Sequence, residues 1–391
     1  MSGLGLLRWR IVALAAAIVA LLVGGTWFAL TRASAQGQDK DPAAQQATSQ
    51  HPHQASAQPE TVVSVTPAAH SRGVNGASPV EVVFSAPLAA DSPMPALTPA
   101  IAGSWQRVSP TTVQFVPAQG YPELTRVRLV IPAGTAGVRS ASGGVLATQV
   151  VDKFWTGAYS TLRLQQLLAQ LGYLPLSWMP VTGNLPVAST NANAQLSAAY
   201  SPPPGTFAWQ PGYPSELQNF WLPGQSNLIV TGAVMAFESD HGLTMDGEAG
   251  PAVWHALLNA VAAGDTNPHG YTYALASQVL PETLTVWHDG RVILHTLANT
   301  GISAAPTTVG TAPVYLRYSF QIMQGTNPDG SHYADPVSWV SYFRSGEAVH
   351  YFPRGSYGFP QSLGCVELPY NQADYVWPYM TYGTLVTVTA P

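Results

Sequence analysis

The chain contains one cysteine, Cys365, in the stretch Ser362-Leu363-Gly364-Cys365-Val366, and His350 precedes it by 15 positions. A protonated thiol is a weak nucleophile. An imidazole close enough to take its proton turns it into a strong one. Cys plus His is therefore the smallest set that can carry acyl transfer through a thioester. Having no second cysteine, the chain can form no intramolecular disulfide and no cysteine-based zinc site. A lone thiol also fits a buried, inert role. The context here favours reactivity, because Gly364 lets backbone or ligand approach closely. His288, His295 and His332 have no such setting, and His332, in a turn, is only a secondary candidate base.

The rest of the chain must position that pair. Its 391 residues predict two or three domains. Only 9% of residues are charged, with 15 Lys and Arg against 20 Asp and Glu, so there is no basic surface to displace counterions from phosphates and nucleic acid is excluded as a partner. The 35 glycines and 34 prolines favour short strands and turns over long helices. Near the N-terminus, Arg8 and Arg10 precede an uncharged apolar run over 11–30, long enough as a helix to span the ~30 Å of a bilayer core. Ala33-Ser34-Ala35 has the form of a cleavage site, so 1–35 is either a membrane anchor or a signal peptide. Both readings place the remainder of the chain outside the cytoplasm. Residues 36–60 lack apolar side chains to bury and read as a disordered linker.

From 61 to 156, short alternating runs (Thr61–Val65, Val80–Phe84, Thr112–Phe115 and Val127–Ile131) are separated by Pro, Gly and Ser turns. This spacing predicts an immunoglobulin-like β-sandwich. From 157 to 270 the period becomes helical. Leu162, Leu164, Leu167, Leu168 and Leu171 predict one helix, stopped at Gly172. A second is expected from Gly232 to about His241 with Thr231 as N-cap, and a third from Pro251. Asp246-Gly247, Gly250-Pro251 and Trp254 resemble the signature of the peptidoglycan-binding domain, a small three-helix module, here with an insertion over 176–230. The aromatics of that insertion (Trp178, Phe207, Trp209, Phe220 and Trp221) either stack on sugars or pack the insertion onto its own domain.

Residues 278–391 hold the thiol. Thr283 to Leu297 reads as a hairpin turning at Asp289-Gly290. Val314–Met323 and Val337–Phe343 read as the two strands of a flap, Asn371 to about Trp377 as a helix, and Thr384–Val388 as the last strand. Thiol enzymes of the papain and NlpC/P60 types place Cys before His, which this order excludes. Sortases need an Arg after the Cys, and none follows Cys365.

The order His350, Tyr357-Gly358-x-Pro360, Ser362-Leu363-Gly364-Cys365-Val366 and the closing Tyr382-Gly383-Thr384-Leu385-Val386-Thr387-Val388, with Thr300-Gly301 and the Pro306–Gly310 loop upstream, resembles the L,D-transpeptidase family with its YkuD-like catalytic domain. Leu363 stands where the family usually has His, Tyr351 where it has Gly, and Glu367 where it has Arg or Asn. The resemblance implies a mainly β, multidomain chain ending in a YkuD-like β-sandwich. It implies Cys365 as nucleophile and His350 as base, with the backbone around Leu363 and Gly364 as oxyanion hole and Ser362 shaping that turn. Tyr318, Trp339, Arg354 and Glu367 are implied as substrate contacts. It requires no metal or cofactor. The substrates would be peptidoglycan stem peptides, donor and acceptor, joined by 3→3 cross-links with release of D-Ala, by an extracytoplasmic enzyme held at the membrane or secreted into the cell wall or periplasm. An L,D-carboxypeptidase and a non-catalytic wall-binding protein are the alternatives.

Overall fold

Alternation places the N-terminal strands. Val80, Val82 and Phe84 are buried on one strand and Val127, Leu129 and Ile131 on another, each row at a spacing of two. They belong to different antiparallel sheets. One runs in the order Val62–Thr66, Val80–Phe84, Thr112–Pro117, Gly103–Ser109; the other in the order Ala96–Thr98, Arg126–Ile131, Val150–Trp155. Both rows enter a single hydrophobic core. The structure is a computed structural model that describes residues 58–118, 120–181 and 192–391. The expected anchor or signal segment at 1–35 lies outside the described residues, as does all but the end of the linker. Among the described residues, no helix is long and apolar enough to cross a membrane.

The helical part is richer than three helices and a loop. Its helices are Thr161–Gln170, Ala192–Tyr200, Ser215–Gln218, Leu228–Asp240 and Pro251–Ala263. The expected insertion supplies two of these and a hairpin, Leu176–Pro180 with Gly205–Trp209. Trp178 is buried, and Phe207, Trp209, Phe220 and Trp221 pack on the same core as the helices. The helix expected to start at Gly232 starts at Leu228 instead. Its cap is Asn227, whose side chain accepts the Val230 N–H at 3.1 Å. Gly232 is there for a close approach: a Cβ on it would come within 2.5 Å of the Gly383 carbonyl oxygen. The helix thus lies directly on the chain that leads into the last strand.

Two sheets carry the C-terminal part. The first has the order Arg291–Leu297, Thr283–His288, Thr272–Ser277, Leu385–Thr389, Gly310–Pro313. The second has the order Leu316–Thr326, His332–Arg344, Glu347–Tyr351, Val366–Leu368. The helix Tyr370–Val376 adds Ala373 and Val376 to the core of this part. The strand Thr272–Ser277 begins before the expected boundary at 278. It pairs in parallel with Leu385–Thr389 at the centre of the first sheet and is covered on both faces. Tyr273 and Leu275 pack in the helical core, while Ala274 and Ala276 pack in the other. A strand buried on both sides has no polar face, so it shows no alternation by which to recognise it. The described residues from 58 onward cluster as one compact unit, in which the helical part and the first sheet share a core.

Candidate active site

The thiol and the imidazole arrive on neighbouring parallel strands. Glu347–Tyr351 pairs with Val366–Leu368 in the register Val349↔Val366 and His350↔Glu367, and Cys365 immediately precedes the second strand. Both side chains line one cavity of about 380 Å³ under the flap. His350 is buried, and its Nδ1 donates to the Tyr351 carbonyl at 2.9 Å, which leaves Nε2 as the basic nitrogen of the neutral ring. Burial lowers its pKa below the usual imidazole value; the Tyr351 contact and the Glu367 charge act the other way. Burial also pushes the Cys365 thiol up to about 12, against a backbone contact from Ala348 that lowers it and with the charges of Glu367 and Glu347 adding to the rise. The thiol lies 3.7 Å from the Gly346 carbonyl oxygen. Both shifts favour the neutral forms, thiol and imidazole.

Ser362 ties the turn before the cysteine. Its hydroxyl donates to the Cys365 carbonyl at 2.5 Å and accepts the Gly364 N–H at 3.1 Å. Gly364 has φ +111°, a conformation that glycine alone adopts without strain. With the Gly364 N–H engaged, the N–H groups of Leu363 and Cys365 have no protein partner among the described residues. Leu363 stands at the rim, 36% exposed.

A second chain segment braces this turn. The Thr300 carbonyl accepts from Ser362 N–H at 3.0 Å, and Asn299 and Glu367 exchange backbone hydrogen bonds at 3.0 and 2.9 Å. Thr300 is in turn held by buried Glu282, whose two carboxylate oxygens accept its N–H and hydroxyl, each at 2.6 Å. Glu282 and Asn299 position the site, and sequence reading missed both. Their partners lie 18 and 68 positions away, and no local pattern signals such a contact.

The expected substrate contacts divide. Arg354 and Glu367 both line the cavity and face each other in a bidentate pair, Nε to Oε2 at 2.8 Å and Nη2 to Oε1 at 2.7 Å. The acidic residue at the position of the family's Arg or Asn is thus neutralised by a guanidinium from position 354. Tyr318 and Trp339 do not line the cavity. Tyr318 stands 42% exposed on the flap, on the part of its strand before Gln321, where the cavity lining begins. Strict alternation would place Trp339 in the cavity with Asp335 and Val337. A bulge between Ser338 and Ser341, with Trp339 at φ +60°, re-aims it. It packs on Trp377 and Tyr370 instead, at 5.8 and 6.3 Å between ring centroids. The flap itself is longer than expected, pairing from Leu316↔Tyr342 to Thr326↔His332. This pairing sets His332 at the flap's tip, exposed and outside the cavity lining.

Residues 273–388 match the sequence model of the YkuD family, the L,D-transpeptidase catalytic domain. These residues form a YkuD catalytic domain. Solved structures similar to the chain include an L,D-transpeptidase from Mycobacterium smegmatis, 16% identical over 85% of this chain and 100% of the other, with a TM-score of 0.28. L,D-transpeptidase 3 from Mycobacterium tuberculosis is 17% identical over 84% and 98%, with a TM-score of 0.28. The catalytic domain of the E. faecium L,D-transpeptidase is 26% identical over 30% and 96%, with a TM-score of 0.28. No curated protein matches the chain. The YkuD match spans both sheets, the flap, His350 and Cys365.

Proposed function

We propose that the chain is a cysteine-dependent peptidoglycan L,D-transpeptidase acting outside the cytoplasm. The observation that carries this reading is that Cys365 and His350 line one cavity in residues that match the YkuD family model. In the proposed reaction, the Cys365 thiol attacks the carbonyl of the third residue of a donor stem tetrapeptide. His350 Nε2 takes the thiol proton as the C–S bond forms and passes it to the D-Ala amine as the C–N bond breaks. The free N–H groups of Leu363 and Cys365 are oriented donors for the oxyanion of the tetrahedral intermediate. An amine from a neighbouring stem then attacks the thioester. It gives up its proton through His350 and releases the thiol, leaving a 3→3 cross-link.

The preference for neutral forms supports this route. His350 is buried and Cys365 half-buried, and both pKa shifts work against a stored thiolate–imidazolium pair, so in this route proton transfer accompanies attack. The helical part, with its resemblance to a wall-binding module, would hold the catalytic domain on its polymer. An N-terminal anchor, if retained, would keep both near the membrane.

The test is incubation of the purified ectodomain, from residue 36 onward, with disaccharide-tetrapeptide beside a Cys365→Ala variant. The reading expects a dimer that has lost one D-Ala, absent from the variant. Tripeptide without dimer would instead identify an L,D-carboxypeptidase. Unchanged substrate in both would identify a non-catalytic wall-binding protein.

A further inference from the structure

We propose that the outer face of the N-terminal sheet built from Ala96–Thr98, Arg126–Ile131 and Val150–Trp155 docks on a lipid bilayer that carries anionic headgroups. The inference stands apart from the chemistry proposed for Cys365, so either can fail without the other.

Alternation sorts the side chains of this sheet. Val127, Leu129 and Phe154 enter the sandwich core, and the rows between them face out. In the outward rows, Arg126 stands across from Trp155 and Arg128 across from Lys153. Arg72 joins them from the segment beside that strand, where the Trp155 N–H donates to the Ser71 carbonyl at 2.9 Å. The Arg72 guanidinium lies 4.6 Å from the centroid of the Trp155 ring, Lys153 Nζ 5.8 Å and the Arg126 guanidinium 5.9 Å. Four of the chain's 15 Lys and Arg thus gather on one face around a tryptophan. The three arginines are exposed and Lys153 is half-buried. None of the four enters an ion pair among the described residues. The nearest acidic positions in the chain are turned to other uses. Asp152 stands across from Leu129 in the inward row, and Glu123 accepts the Tyr159 N–H at 2.8 Å.

A surface that served solubility alone would intersperse charges of both signs. Four like charges this close repel one another, and contact with the Trp155 ring offsets only part of that. The arrangement is complementary to a plane of negative charge. Leu124, 71% exposed just before Arg126, and Val151, 47% exposed in the row of Lys153 and Trp155, add apolar contact to the same face. Basic side chains among a Trp and aliphatic groups suit the bilayer interface, where cations meet headgroups and the indole sits at their level. The chain as a whole has a formal net charge of -5, so an anionic surface attracts this face and repels the molecule in other orientations. Position in the chain favours a membrane over a polyanion in solution. The sandwich is the first described part after the apolar run over 11–30. With that run in a bilayer and 31–57 as the flexible linker its sequence suggests, the sandwich would stay within about 30 Å of the headgroups. Tethering at that distance makes even a weak contact effective. Composition gave no sign of a basic surface, because positions 72, 126, 128 and 153 meet only through the pairing of strands.

The experiment uses the chain from residue 58, which lacks the apolar run and forms one compact unit. Its co-sedimentation is measured with vesicles of phosphatidylglycerol and phosphatidylcholine in equal parts, and with vesicles of phosphatidylcholine alone. Binding is expected to the first and not to the second at about 50 mM salt, and should weaken at least roughly tenfold at about 500 mM. Arg126→Gln combined with Arg128→Gln should weaken it by roughly 25-fold, about fivefold for each cation lost at the surface. Arg291→Gln, which removes one exposed charge from the C-terminal hairpin, should change it by less than about twofold. Equal binding to the two kinds of vesicle overturns the proposal, as does no binding to the anionic one. Undiminished binding by the folded double variant overturns it as well. A soluble glycerol-phosphate polymer that binds as tightly as the vesicles, phosphate for phosphate, would assign the face to a polyanion in solution and overturn the membrane assignment.

Discussion

Burial acts on both members of the proposed reacting pair at once. Desolvation pushes the Cys365 thiol up to about 12 and the His350 imidazole below its ordinary value, so both shifts favour the uncharged forms. In the proposed reaction, His350 must be unprotonated when the thiol attacks. Because its pKa is lowered, acylation should stay level as pH falls through about 6.5 and decline only at more acid pH. A pH profile of Cys365 acylation checks this, and an acid limb with its midpoint at or above pH 7 contradicts it. That Cys365 and His350 belong to one candidate site was legible in the sequence, because their types and order suggest a shared chemistry, and both line one cavity. Glu282 and Asn299 were not, because their contacts to Thr300 and Glu367 reach across 18 and 68 positions of chain.

The helix Leu228–Asp240 and the last strand Leu385–Thr389 show what a glycine can hide. Gly232 reads as a helix start, yet it lies in the second turn, where helix and sheet backbones approach too closely for a Cβ. Gly232→Ala should therefore destabilise the fold by roughly 1–3 kcal/mol, the cost of overpacking a tight contact. Denaturant titration measures it, and a neutral or stabilising effect, as helix propensity alone would give, contradicts the close contact. The strands of the flap were legible in outline, since turn residues mark its tip at Asn327–Ser331. The bulge that removes Trp339 from the cavity was not. A single residue at positive φ changes which face the next side chains occupy, and nothing in the local composition announces that.

Sequence reading divided the chain into a β-sandwich, a helical wall-binding module and a C-terminal thiol domain, each judged by itself. The described chain instead packs its helical part on the first sheet of the C-terminal part, not on the sheet that carries His350, with Tyr273, Leu275, Trp287 and Leu385 joined to the helical core. Their shared core crosses the expected boundaries at 270 and 278. It escaped a reading of sequence periods because each segment's pattern was judged by itself. A chain beginning at residue 272 should expose that apolar face. It should melt at lower temperature than residues 58–391 and bind a hydrophobic dye more strongly; equal melting temperatures would contradict the shared core. The central claim, that Cys365 carries the acyl group, is tested most directly by intact mass spectrometry of the protein mixed with donor tetrapeptide and quenched in acid. The account predicts an acyl adduct that maps to the peptide containing Cys365 and is absent from Cys365→Ala. An adduct on another residue, or dimer formation undiminished in Cys365→Ala, would contradict it.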